Sequence, residues 1–326
     1  MEFEPKITPL EQEEGDGAAK TYELVILGGG PAGLTAAIYA GRARIPTHVC
    51  AGTLRGGQPA NTADVDNFPG FPNGVAGGEL AQRLQGQAER FGAEVVPETV
   101  TDVDLSAPPF TIRSERKTYR AQAVIVATGA APRRLGIPGE DTFYGRGVSS
   151  CATCDGFFYQ DKQVVVVGGG DAAIDESLFL TKFADKVTVV HRRDELRATK
   201  IFQERAFANP KIDFMWDSVV EEVLGDQTVT GVRTRNVKTG ETSMIKTDGV
   251  FVYIGMEPKS SLFIGQLELD SNGYIVSDRR QHTNVPGVFV AGDVQDPHYR
   301  QVVTAAGTGA IAAMEAERYL GKYPHH

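Results

Sequence analysis

The chain has 326 residues, 41% hydrophobic and 23% charged, with 37 glycines and a formal net charge of −9; this composition suits a soluble globular protein of two domains. No apolar run approaches the ~18 residues of a membrane span, and residues 1–20, with six acids and two lysines, read as a disordered acidic tail rather than a signal peptide. That tail carries −4 of the charge, so the rest lacks the basic excess of a nucleic-acid surface, and three cysteines without an export signal fit a reducing cytoplasm.

The first ordered stretch, "YELVILGGGPAGLTAAIYAGRA", starts as an apolar strand at 24–27, turns through glycines and continues as an Ala-rich helix. The turn fits G-x-G-x-x-G. Gly28 would allow a tight turn, Gly30 would let a pyrophosphate approach the backbone, and Gly33 would permit close helix–strand packing. A plain turn is the alternative. The next strand, "THVCAG", ends without the acid that usually holds a ribose hydroxyl, and its Cys50 reads as a small core side chain. A further strand, "AVIVATGAAPR", stops at a glycine followed by a proline, a suitable place to cross between domains.

Two of the three cysteines then form a Cys-x-x-Cys, Cys151 and Cys154, in "CATCDGFF". A zinc site would want four ligands, and there is no second cysteine pair or paired histidines, so no metal is expected. Inert buried thiols and a redox pair both remain open. A redox pair would suit exchange with another disulfide, and Asp155 could move a proton beside it, unless it is only a turn acid.

A second strand–turn–helix–strand follows about 140 residues after the first, in "KQVVVVGGGDAAIDESLFLTKFADKVTVVHRR". Its turn, Gly168, Gly170 and Ala173, fits G-x-G-x-x-A. At the end of the returning strand the acid is replaced by "HRRDELR". Arg192, Arg193 and Arg197 can fork onto the 2′-phosphate of NADP, where a carboxylate would repel it, and His191 could add a donor or stack on the adenine. The plain alternative is a solvated basic helix start. After a second crossing strand, "GVFVYIGMEP", the strand "GVFVAGDV" puts Asp293 where it could accept from a ribityl hydroxyl. A closing helix is entered through Arg300, Gln301 and Val302, with its positive end toward whatever lies there, a flavin being the plausible occupant.

The motifs "CATCDGFF", "HRRDELRA", "GVFVAGDVQDPHYRQ" and "GGQPANTADVDNFPG" resemble those of bacterial low-molecular-weight thioredoxin reductases, from about residue 22 to 320. The resemblance implies an α/β fold of two Rossmann-like domains, with an NADPH domain (132–258) inserted into a discontinuous FAD domain (21–131 and 259–326). It implies FAD contacts at Gly57, Gln58, Asn67, Asp293, Arg300, Gln301 and Val302, and a homodimer. It implies electron flow from NADPH to FAD, to the Cys151–Cys154 disulfide and on to thioredoxin, with Cys154 nearer the flavin and a domain rotation between half-reactions. The hinges would be 128–132 and 255–258. Arg146, Phe157 and Phe158 flank the dithiol as thioredoxin contacts, or the aromatics belong to the core. Asp171 departs from the common Asn of the family and is tolerable near phosphates only if it points away or caps a helix. A peroxiredoxin-linked relative and a redox sensor are the rival readings.

Overall fold

The computed structural model describes residues 21–61, 65 and 67–322. The tail at 1–20 and the closing His325 and His326 lie outside the described residues.

In chain order the elements are β1 (Thr21–Leu27), α1 (Pro31–Arg42), β2 (Thr47–Cys50), α2 (Gly77–Arg90), β3 (Glu94–Val96), β4 (Val100–Asp104), β5 (Phe110–Ser114), β6 (Thr118–Val126) and β7 (Ala130–Pro132). Then come α3 (Glu140–Phe143), β8 (Val148–Ser149), α4 (Ala152–Asp155), β9 (Gln163–Val167), α5 (Asp171–Leu180), β10 (Lys186–Val190), α6 (Lys200–Phe207) and β11 (Ile212–Met215). The chain continues through β12 (Ser218–Gly225), β13 (Val229–Asn236), β14 (Thr242–Lys246), β15 (Gly249–Val252), β16 (Met256–Pro258) and β17 (Val288–Val290) to α7 (Val302–Lys322).

One sheet runs β3-β2-β1-β6-β5-β4 with β17 added on β6; a second runs β11-β10-β9-β15-β8. β1, β2, β3, β6 and β17 are mutually parallel, as are all five strands of the second sheet. Their sequences explain this. Leu24 to Leu27 and Val164 to Val167 are buried without alternation, the pattern of strands covered on both faces by crossover helices. Each such side chain contributes about 1.5–3 kcal/mol by leaving water. On one face of the first sheet, α1 lies against α7 through alanines and glycine: Ala32, Ala36, Ala312 and Ala313 are buried, and a Cβ on Gly309 would meet Ala32 O at 2.1 Å.

The two crossing strands behave differently from their sequence pattern. Each sheet strand stops, at Val126 and Val252, and the chain resumes as β7 and β16, which pair antiparallel with each other. This ribbon is tied at both ends, by Arg133 N donating to Gly255 O (3.0 Å) and Lys259 N donating to Gly129 O (2.9 Å). The antiparallel sheet β12-β13-β14 has no counterpart in the motif reading. The basic segment is also not a helix start, because 191–199 is a loop and α6 begins at Lys200.

Candidate active site

The first glycine turn forms one wall of a cavity of about 1250 Å³. Gly28 has φ +118°, and a Cβ there would lie 2.2 Å from Ala127 O, so no other residue fits. Gly33 sits where its Cβ would be 1.9 Å from Gly28 O, which is how α1 comes so close to the strand end. Gly28 and Gly30 line the cavity; Gly33 supports the turn from behind. Gly57 closes over Gly30, its loop held by Gly56 N donating to Gly29 O at 3.0 Å. Gln58, Asn67, Asp293, Arg300, Gln301 and Val302 complete this end, and Asn67 Nδ2 donates to Gln301 Oε1 at 3.1 Å.

Asp293 leaves β17 in a short 3₁₀ turn, Gly292–Val294. Burial, with Asp296 adding to it and Arg300 opposing, pushes its carboxyl up to about 6. Among the described residues no hydrogen-bond donor reaches this carboxyl, and a ligand hydroxyl would supply one. The acid missing after β2 also has a neighbour here: Glu98, from the exit of β3, is buried on the cavity wall, where Tyr119 donates to it at 2.7 Å. Cys50 is free and buried, its thiol pushed up to about 12 by burial and then by Glu98 and Glu94, so it is inert.

The same cavity is also lined by Cys151 and Cys154, joined by a disulfide. Cys151 is the N-cap of the single-turn α4, and its Sγ accepts the Cys154 N–H at 3.2 Å. That donor points at sulfur and favours its charged form once the bond opens. Asp155, beside it, is raised above the usual carboxylate range by burial, against a hydrogen bond from Ser149. A carboxyl shifted in that direction can keep a proton to give to a leaving thiolate. Phe158 also lines the cavity; Phe157 and Phe158 are 62% and 40% exposed and meet edge to face, with Phe157 also against Phe183. They are surface aromatics and not core. Arg146 is exposed, donating to Thr142 O.

The second turn repeats the first: Gly168 has φ +151°, and a Cβ there would lie 2.4 Å from Tyr253 O. Ala173 is fully buried under the turn, and Gly170 faces open space. His191 packs beneath Gly169, and burial, followed by Arg197, Arg193 and Arg192, holds its imidazole low. It is therefore neutral, with Nε2 lacking a hydrogen-bond partner among the described residues. The loop is stitched to the turn by Arg197 N and Ala198 N, both donating to Gly169 O, at 2.7 and 3.1 Å. Asp171 does not cap its own helix; its Oδ1 accepts Thr199 N at 2.6 Å, which fixes the start of α6. Arg192, Arg193 and Arg197 stay exposed and make no ion pair among the described residues; of the two carboxylates between them, Asp194 and Glu195, Asp194 is held by Lys238 at 2.8 Å. Free guanidiniums beside an imidazole whose Nε2 is unpartnered among the described residues fit a phosphorylated ribose.

Sequence reasoning missed Ser149, Thr153, Tyr159, Glu176 and Tyr253 on the dithiol wall. Tyr253 ends an apolar run and Glu176 lies mid-helix, so neither carried a local signal.

The pyridine nucleotide-disulphide oxidoreductase family profile matches residues 22–309. A thioredoxin reductase of Streptomyces coelicolor is 54% identical over 300 residues, 91% of this chain and 93% of that one. Another from Rickettsia bellii is 51% identical over 307 residues, 93% and 99% of the two chains. The crystal structure of Streptococcus pyogenes thioredoxin reductase, at 44% identity, superposes with a TM-score of 0.89 over 94% of this chain and all of that one. The crystal structure of Lactococcus lactis thioredoxin reductase in its FR conformation, at 41% identity and 92% and 99% coverage, reaches only 0.64. With a glycine cradle and a disulfide on one cavity, and likeness of this extent, the chain belongs to the thioredoxin reductases of the pyridine nucleotide-disulphide oxidoreductase family.

Proposed function

We infer that the protein is an NADPH-dependent flavoprotein that reduces the disulfide of oxidised thioredoxin. One observation carries this reading: the Cys151–Cys154 disulfide stands on the wall of the cavity that the first glycine turn opens into. FAD would be held by Gly28, Gly30, Gly57, Gln58, Asn67, Asp293, Arg300, Gln301 and Val302, in the unit 21–131 plus 259–326. NADPH would lie on Gly168, Gly170, Asp171 and Ala173, with Arg192, Arg193 and Arg197 at its 2′-phosphate and His191 supporting the turn, in the insert 132–258. Bound there, FAD supplies the two-electron carrier between nicotinamide and sulfur.

The chain's own part is sulfur and proton chemistry. Opening the disulfide takes two electrons and leaves one thiol and one thiolate; Asp155 supplies or holds the proton, with Cys154 on the flavin side. The dithiol then exchanges with the disulfide of thioredoxin, so that NADPH, a proton and oxidised thioredoxin become NADP⁺ and reduced thioredoxin. Steady NADPH oxidation by the yellow purified protein on adding thioredoxin is the expected result. A colourless preparation, or a single stoichiometric reduction that stops as a sensor would, overturns it.

The disulfide and the nicotinamide site share the insert, yet both must meet one flavin. The crossing ribbon is the natural hinge, and the two relatives of nearly equal identity but unequal superposition, 0.89 against 0.64, support two orientations. A crosslink that locks the units as seen here should leave dithiol–flavin exchange fast and slow full turnover at least about tenfold, checked by stopped-flow against steady-state rates.

Phe157 and Phe158, with Arg146, would form the thioredoxin contact. Replacing both aromatics by alanine should raise the KM for thioredoxin about tenfold and spare reduction of a small disulfide dye. Loss of both activities would mean that the pair supports the fold.

Asp293 gives a pH dependence. Its folded value, about 6, lies above its ordinary value of 3.8, so ionisation opposes the apo fold. The stability of the apoprotein should fall as pH rises from about 4 through 6. A hydroxyl donor from FAD favours the ionised form, so FAD affinity should rise over the same window, by at most about tenfold per pH unit for one proton. Melting curves and flavin-fluorescence titrations at several pH values, with Asp293→Asn flattening both slopes, check this. A homodimer in the cytoplasm completes the reading, with sedimentation testing the dimer.

A further inference from the structure

The dithiol wall holds a tyrosine and a carboxylate that the electron route above does not use. Tyr253 follows directly on β15, and its hydroxyl accepts the Ala152 N–H at 2.5 Å. Glu176 on α5 stands within reach of both the Tyr253 phenol and the Thr153 N–H, each of which favours its charged form. Ala152 and Thr153 are the first two residues of α4. Cys151 N donates to Ser149 Oγ at 3.0 Å and Cys154 N to Cys151 Sγ at 3.2 Å, while Asp155 N makes the helix's own bond to Cys151 O at 3.1 Å. Of the donors that a helix start leaves without internal partners, three have side-chain acceptors, Ser149, Tyr253 and Cys151, and the fourth, Thr153 N, faces Glu176.

Glu176 has a second feature. Its Oε2 is buried with no hydrogen-bond partner among the described residues. The groups that act on the carboxylate are Asp175 on its own helix, Tyr253 behind it and Arg300 from the flavin end of the cavity, while Asp155 acts on Tyr253 in turn. Both Glu176 and the sulfurs line the cavity.

We propose that Tyr253 and Glu176 are positioning residues for the redox pair, capping the dithiol helix from outside, and that the Glu176 carboxylate sets how readily the reduced sulfurs ionise. A negative charge on the same wall disfavours a thiolate, and the thiolate is the exchanging species. Burial raises Glu176, and Arg300 opposes that rise, so the charge it presents depends on the flavin side of the cavity. The inference rests on the dithiol reading above but needs no thioredoxin to test.

The test uses the reduced holoenzyme and follows alkylation of Cys151 and Cys154 by iodoacetamide against pH, read by mass spectrometry. Cys50 does not interfere, being buried with a raised thiol. Glu176→Gln, which keeps an oxygen for the Thr153 N–H, should lower the midpoint of the alkylation profile by about one pH unit and speed alkylation at pH 6 about tenfold. Tyr253→Phe should shift it in the same direction by less, since Glu176 loses its proton donor and charges less readily. The double variant should shift no further than Glu176→Gln alone, as expected for residues acting in one chain. A Glu176→Gln profile that superposes on wild type overturns the proposal, as do two shifts that add in full. A protein that shows these shifts yet leaves thioredoxin oxidised would overturn the function and leave this inference standing.

Discussion

Serine at position 151 or 154 should cut reduction of a protein disulfide by about a thousandfold or more, and the double variant should be no worse than either single one. Two sulfurs that form one bond act as a unit, so removing the first removes the function of the second. The first half of the route should survive. Ferricyanide, which takes electrons from a flavin directly, should still be reduced by NADPH within about twofold of wild type. The disulfide closes a stretch of only four residues at the start of α4, so its loss costs the fold little, and the melting temperature should scarcely move. The rates of NADPH oxidation with thioredoxin and with ferricyanide, measured on the same preparations, decide the matter. Equal losses in both would place the cysteines in the flavin site's architecture, and no loss in either would remove the dithiol from the route.

The features legible in the sequence were those whose chemistry is local. Gly28 and Gly168 announce themselves because a positive φ and a backbone approached from outside admit no side chain. Val164 to Val167 announce a strand covered on both faces. The Cys-x-x-Cys spacing is itself the constraint that lets the two sulfurs join. What stayed hidden depends on contacts between distant segments. His191 could read from sequence as a donor or as a stack on adenine, but that its ring packs beneath Gly169 is a relation that only the pairing of β9 with β10 creates. Asp171 looked awkward beside a phosphate until Thr199 N supplied its partner across 28 residues. The crossing segments read as continuations of their strands, whereas the pairing of β7 with β16 is set by where two separate sheets stop. Tyr253 and Glu176 gain their meaning from α4, which neither adjoins in sequence.

Replacing Arg192 and Arg193 by alanine should weaken NADPH binding a hundredfold or more and leave NADH within about twofold. Each forked, charge-assisted bond to the 2′-phosphate contributes roughly 1.5–3 kcal/mol, and NADH has no group there to lose. The local structure supports so large a difference. The guanidiniums are exposed and free of ion pairs among the described residues, and Asp194 is held away by Lys238 at 2.8 Å, with Asp217 on the same ammonium at 3.0 Å. Removing the arginines therefore strands no buried partner, and the loop keeps its backbone ties to Gly169 and Asp171. The protein provides its own gauge. Its only tryptophan, Trp216, stacks on Phe214 with centroids 4.9 Å apart and meets His191 edge to face at 6.4 Å. Because reduced nicotinamide absorbs where tryptophan emits, quenching of Trp216 reports occupancy by either cofactor without turnover. Raising the salt should weaken NADPH in the wild type and much less in the variant, since the phosphate term is the one that counterions screen. If both cofactors weaken alike, the arginines support the shape of the loop and the preference for NADPH must be built elsewhere on the second turn.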